Sequence, residues 1–148
     1  MKKWQKIILW ILFIIATIIF FKIIMSPERR IRSFVKWNES KLEELSREIL
    51  DNEGALPNGK KKYKGVEIEG LIEGEHAIVR FYYTGTGLVP ATTYYGFYYA
   101  PANVPVTSFN GGVLIPEAEN TWIWGGEGDN GGRIKKIKDC WYYYEAWY

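Results

Sequence analysis

The sequence predicts an α+β protein: an N-terminal transmembrane helix, then an amphipathic helix packed on a mostly antiparallel, aromatic-rich β-sheet. Three observations predict it. Residues 7–25 form a nearly unbroken apolar run, residues 26–54 repeat their apolar positions at helical spacing, and from residue 65 onward the period falls to two. A chain of 148 residues holds one small domain and an anchor, and is too short for two independent cores.

The run "IILWILFIIATIIFFKIIM" at 7–25 has the length of a membrane span, because a rise of about 1.5 Å per residue makes it roughly 28 Å long, against a hydrocarbon thickness of about 30 Å. Lys22 stands near one end, where its stem can lie along apolar neighbours while the ammonium reaches the interface. The following "KIIMSPERR" has no small-x-small cleavage site and no cysteine for lipid attachment, so an uncleaved signal anchor is expected rather than a leader peptide. Lys2, Lys3 and Lys6 precede the run, and Arg29, Arg30, Arg32 and Lys36 follow it, so positive charge lies on both sides. A short lysine-rich tail directly before an apolar run has the form of a signal anchor. This places the tail, residues 1–6, inside the cell and the domain outside.

A juxtamembrane helix is expected over residues 26–54. Ser26 offers a side-chain cap, Pro27 falls where no backbone donor is needed, and Glu28 sits near the positive end of the helix dipole. Ile31, Phe34, Val35, Leu42, Leu45, Ile49 and Leu50 recur every three or four residues, while Glu43, Glu44, Arg47 and Glu48 fill the other face. "SKLE" at 40–43 fits a capping box and allows a break near Asn38, and Gly54 and Pro57 end the helix. Packing of this stripe on the domain's own sheet is expected, since the pattern is too short for a coiled coil.

Residues 55–148 are expected to complete the same globular domain as an antiparallel sheet. Strands are predicted in "VEIEG" (66–70), "HAIVRFYY" (76–83), "TTYYGFYY" (92–99), "TWIW" (121–124), "RIKKI" (133–137) and the closing run. In the second of these, Ala77, Val79, Phe81 and Tyr83 share one face, and His76, Ile78, Arg80 and Tyr82 the other. Asn110-Gly111 and Asn130-Gly131 are hairpin-turn dipeptides. The terminal "CWYYYEAWY" alternates so that a strand would project aromatic groups on both faces: one for the helix-packed core, the other needing a cover. A tyrosine ladder explains this structurally. The functional alternative is an aromatic platform of Tyr94, Tyr98, Tyr142 and Tyr144 that binds sugars or peptides.

Candidate chemistry is sparse. After the apolar run the chain carries 15 basic and 17 acidic residues, which argues against nucleic acid as the partner. His76 and Cys140 are single residues of their kinds, so they form at most one dyad, and they cannot supply a zinc ligand set or an internal disulfide. "GGEGDNGG" at 125–132 offers oxygen donors for calcium, but its spacing misses the helix-loop-helix pattern and a glycine-rich hairpin explains the same letters. No metal and no cofactor are expected.

Lys60, Lys61, Lys62 and Lys64 could grip an acidic partner. A helix rising straight from the membrane to about Asn52 would hold them roughly 40 Å away from it, far beyond the screening length of about 8 to 10 Å. An envelope protein or an anionic wall polymer then suits them better than lipid. The function expected is that of a single-pass, extracytoplasmic binding or structural protein of the cell envelope. The alternative is a membrane-anchored immunity or inhibitor protein acting against a toxin or hydrolase, and an enzyme comes third.

The segments "TYYGFYYAPANVPV", "GEGDNGGRIKKI" and "WYYYEAWY" resemble a group of small, uncharacterised membrane-anchored proteins of Gram-positive bacteria with similar YYGFYY, GDN-G and WYYYEA segments. The resemblance covers roughly residues 90–148, with Gly132, Arg133 and Ile134 standing where a more polar residue and a threonine are expected. It implies a membrane-anchored protein and assigns no activity and no site residue.

Overall fold

In a computed structural model, residues 3–59, 61–88, 91–107, 112–126 and 128–148 are described, without the side chains of Lys3, residues 21–24 and Asn58. Two α-helices, α1 (Lys3–Ile24) and α2 (Pro27–Asp51), precede eight strands: β1 (Lys62–Tyr63), β2 (Val66–Ile72), β3 (Ile78–Leu88), β4 (Ala91–Tyr99), β5 (Ile115–Ala118), β6 (Thr121–Gly125), β7 (Gly131–Lys138) and β8 (Trp141–Trp147). The α+β expectation holds. The expected Asn110-Gly111 turn lies outside the described residues.

Every described side chain of α1, residues 4–20, is exposed, including Trp10, Phe13 and Phe20. Among the described residues no helix is long and apolar enough to cross a membrane. Of the expected 7–25 run, the side chains of residues 21–24 lie outside those described.

Helix α2 starts as expected: Ser26 Oγ accepts from the Arg29 amide at 3.4 Å, and Pro27 and Glu28 occupy the first turn. It runs unbroken to Asp51, so the break allowed near Asn38 does not occur and Ser40 is a mid-helix residue. Continuous burial of Ile31, Val35, Leu42 and Ile49 on one stripe outweighs the local capping preference. The chain leaves the helix through Gly54, whose φ of 90° strongly favours glycine and whose amide bonds to Ile49 O at 2.8 Å.

The sheet is antiparallel with the order β1-β2-β3-β4-β8-β7-β6-β5. Two meanders thus meet at β4 and β8, and the C-terminal strand lies in the middle of the sheet rather than at its edge. Two further points differ from the sequence reading. β1 and β5 are additional short strands, and Asn130-Gly131 is not a tight two-residue turn. Instead Gly126 N–H bonds to Asn130 O at 2.8 Å across the loop, and Gly131 already pairs with Gly125 as the first residue of β7.

Both faces of the sheet carry a core. On one, α2 packs Ile31, Val35, Leu42 and Ile49 against Val79, Phe81, Phe97, Tyr99, Trp141 and Tyr143. On the other, Ile78, Tyr98, Trp124, Ile134, Tyr142 and Tyr144 pack together beneath Val106 and Leu114 of the segment between β4 and β5. The single helix-on-sheet layer expected from the sequence is therefore incomplete, because that segment covers the far face. Tyr98 Oη accepts the Val106 amide at 3.0 Å and fastens it.

Three strand glycines make this packing fit, each opposite an aromatic residue on the neighbouring strand. Gly96 faces Tyr144, Gly132 faces Trp124 and Gly131 faces Trp147. A Cβ on Gly96 would lie 2.5 Å from Tyr144 Cζ, one on Gly132 2.3 Å from Trp124 Nε1, and one on Gly131 2.9 Å from Trp147 Nε1. Each ring thus lies across bare backbone, covering the gap that a glycine leaves in a sheet. Lying over Gly96, Tyr144 extends to β2, where its hydroxyl donates to Glu69 at 3.2 Å beside the Glu69–Arg80 ion pair at 2.6 Å.

Burial pushes the hydroxyls of Tyr98, Tyr143 and Tyr144 well above the ordinary tyrosine range. In the unfolded chain they ionise near pH 10. Above that pH the unfolded state loses protons that the folded state keeps, so stability is intact below about pH 10 and falls as pH rises. The slope is about 1.4 kcal/mol per pH unit for each such tyrosine. Alkaline titration is expected to show tyrosinate absorbance rising in one cooperative step together with loss of near-ultraviolet circular dichroism; gradual ionisation with the dichroism unchanged would contradict it.

Candidate functional site

The expected aromatic platform does not face solvent. Tyr98, Tyr142 and Tyr144 are buried to within 1% exposure, and Tyr94 is the single member that remains open, at 37%. The reason is topological. With β8 between β4 and β7, Tyr98 stacks on Tyr142 at 5.2 Å beneath the covering segment, and Tyr144 is held across Gly96. Tyr94 instead meets Tyr148 edge-on at 5.7 Å. Tyr98, Tyr142 and Tyr144 are core residues, and Tyr94 is a surface residue beside Tyr148.

His76 and Cys140 are not brought together as a dyad. His76 is exposed in the β2–β3 turn, ahead of the strand in which it was expected, and lines a cavity of about 310 Å³ with Glu73, Glu75 and Thr107. Cys140 also leaves its expected strand: it lies in the β7–β8 turn at φ 64°, with Sγ 4.0 Å from Pro101 O. Strands β3 and β8 are separated by β4, so two spacings, about 10 Å, divide the ends that carry these residues. A base must come within about 3 Å of its nucleophile. The Cys140 turn is instead fastened by Asn103, whose Oδ1 accepts the Cys140 amide at 2.9 Å.

Among the described residues no group of three or more His, Cys, Asp or Glu is placed to hold a metal ion. Glu127 of the glycine-rich loop lies outside the described residues, and Asp129 is exposed. The loop's backbone closure through Gly126 and Asn130 is that of a hairpin.

The lysine segment lies somewhere other than expected. Lys60 falls outside the described residues, while Lys61, Lys62 and Lys64 are exposed. The chain doubles back after α2, so Tyr63 packs edge-on against Phe34 at 6.3 Å and Lys64 Nζ donates to Asn38 Oδ1 at 2.7 Å. Asn38 is about 17 Å from the start of α2 by helical rise, which replaces the separation of roughly 40 Å inferred for a helix leading straight to the lysines. The segment thereby comes to the flank of α2 that bears Lys41 and the 84%-exposed Trp37.

Sequence reasoning missed Trp37. The signal was present, because Trp37 lies about 135° around the helix from the centre of the Ile31, Val35, Leu42 and Ile49 stripe, on its solvent side. The acids of this half of α2 turn away from that side: Glu28 bonds Lys135 at 2.6 Å and Glu39 bonds Lys138 at 2.5 Å, both on β7. Partial burial alone would raise the Glu28 pKa, but Lys135 of the sheet and Arg32, through direct hydrogen bonds and their charge, hold it below the usual carboxylate range. What remains exposed there is Trp37 with Lys41, Lys61 and Lys64 around it.

Fold and surface together define an α+β protein in which one amphipathic helix packs on an eight-stranded antiparallel sheet closed on its far face by its own chain. No protein-family model, curated protein or solved structure is matched by this chain.

Proposed function

We propose that this chain is a single-pass, membrane-anchored, extracytoplasmic protein of the cell envelope that works by binding or structural association and not by catalysis. One observation carries the reading: α1 exposes an apolar surface all round, with Ile7, Leu9, Trp10, Leu12, Phe13 and Phe20 each about half or more exposed, while the domain closes its two cores without it. An all-round apolar helix needs an apolar surrounding, and a bilayer supplies one for the whole 7–25 run. The lysine-rich tail favours the tail inside and the domain outside.

External protease on intact cells is expected to digest the domain, while the anchor stays in the membrane fraction. Protection of the domain until lysis would reverse the orientation, and recovery of the whole chain in the soluble fraction would overturn the anchor.

A further inference from the structure

We propose that the Trp37 side of α2 lies on the anionic lipid surface of the membrane that α1 enters, so that the domain reclines on the bilayer instead of standing on a stalk. The inference rests on the membrane reading of α1. Only Met25 and Ser26 separate the two helices, a link that reaches about 10 Å at most, so α2 begins at the headgroups. Neither residue is helical, which lets α2 turn away from the axis of α1.

Charge then decides the direction of the turn. From Arg29 to Lys41, α2 carries one acid, Glu39, and it is turned to Lys138 on the sheet. The side away from the sheet presents Arg29 and Lys41, joined on the Lys41 flank by Lys61 and Lys64 from the doubled-back chain, while Lys36 lies on the other flank, nearer Glu39. Lys41 is itself paired with Glu44 at 2.5 Å, so the net positive charge here comes from Arg29, Lys61 and Lys64. In the middle stands Trp37, a residue that favours the boundary between headgroups and acyl chains. Because Trp37 and Lys64 sit about 15 to 17 Å along α2, they come within the roughly 8 Å screening length of the lipid charges only if the helix lies along the surface. The sheet, on the other side of α2, is then held clear of the membrane with its cavity at the β2–β3 turn open.

The test uses the full chain with Cys140→Ser, carrying one fluorophore at Ser40→Cys, on the Trp37 side of α2, or at Ala16→Cys in α1. It is reconstituted in phosphatidylcholine vesicles with and without phosphatidylglycerol. Quenching at position 16 by nitroxides on the acyl chains, and at position 40 by nitroxides on the headgroups only when phosphatidylglycerol is present, is expected. The signal at position 40 should be lost in roughly 1 M salt, where the screening length is about 3 Å, and in the variant Lys41→Glu, Lys61→Glu, Lys64→Glu. Quenching at 16 with none at 40 would overturn the proposal, leaving α1 in the membrane and the basic surface free for a protein or wall polymer. No quenching at 16 would overturn the membrane reading itself, and this inference with it.

Discussion

A chain ending at Cys140 is expected to show no cooperative unfolding and no near-ultraviolet circular dichroism. Residues 141–148 are β8 and Tyr148, and β8 pairs with β4 on one side and β7 on the other, so its loss divides the sheet into two unconnected halves. Trp141 and Tyr143 leave the α2 core, and Tyr142 and Tyr144 leave the opposite one. All four are at most 2% exposed. At about 1.5 to 3 kcal/mol for each large apolar side chain fully buried, the direct loss is roughly 6 to 12 kcal/mol, against a total stability of about 5 to 15 kcal/mol for a domain of this size. Urea titration of the detergent-solubilised truncated chain beside the full chain measures it. A normal transition in the truncated chain would mean that β8 is an appendage.

Replacing Gly96 by alanine is expected to cost about 3 kcal/mol or more, at the upper end of what overpacking a core costs. Gly96 does not use a positive φ; it is needed for close approach. Its added Cβ would lie 2.2 Å from Phe81 O on β3 and 2.5 Å from both Cζ and Oη of Tyr144 on β8. Relief requires β3 to recede, which breaks the β3–β4 ladder beside the Phe81–Phe97 stack at 4.8 Å, or Tyr144 to leave Glu69. Tyr144→Phe is the matched control. It keeps the ring over Gly96 and removes one hydrogen bond to a carboxylate, at a cost of about 1.5 to 3 kcal/mol. Thermal unfolding of the two variants separates the effects, since strain at Gly96 persists when Tyr144→Phe is added. A Gly96→Ala protein as stable as the parent would show that the ring and the strand yield freely.

Much of this fold was legible in the sequence because the periodic signals are local. The stripe of α2, the two-residue alternation of β2, β3, β4 and β8, and the Ser26-Pro27-Glu28 helix start all depend on neighbours within a few residues. The uninterrupted course of α2 past Asn38 was not legible, because the capping preference of Ser40 is overridden by contacts to strands far along the chain. The glycines misled in the same way: Gly131 read as half of a turn dipeptide, whereas it is a strand residue left bare beneath Trp147.

Of the candidate site, the residue types were legible and their placement was not. Lysines at 60–64 and a tryptophan off the apolar stripe of α2 are visible in the letters. That Lys61 and Lys64 come to the side of α2 that bears Trp37 follows only from the chain doubling back to bring Lys64 to Asn38. Likewise the sequence determined that "WYYYEAWY" would project aromatic groups both ways, since successive side chains of any strand do so. Whether those groups form a platform or a core was decided by strand order: a terminal strand at the edge leaves its outer face in water, whereas β8, inserted between β4 and β7, is covered on both faces. Strand order is set by which pairings and burials are jointly cheapest over the whole chain, and no window of sequence contains that comparison.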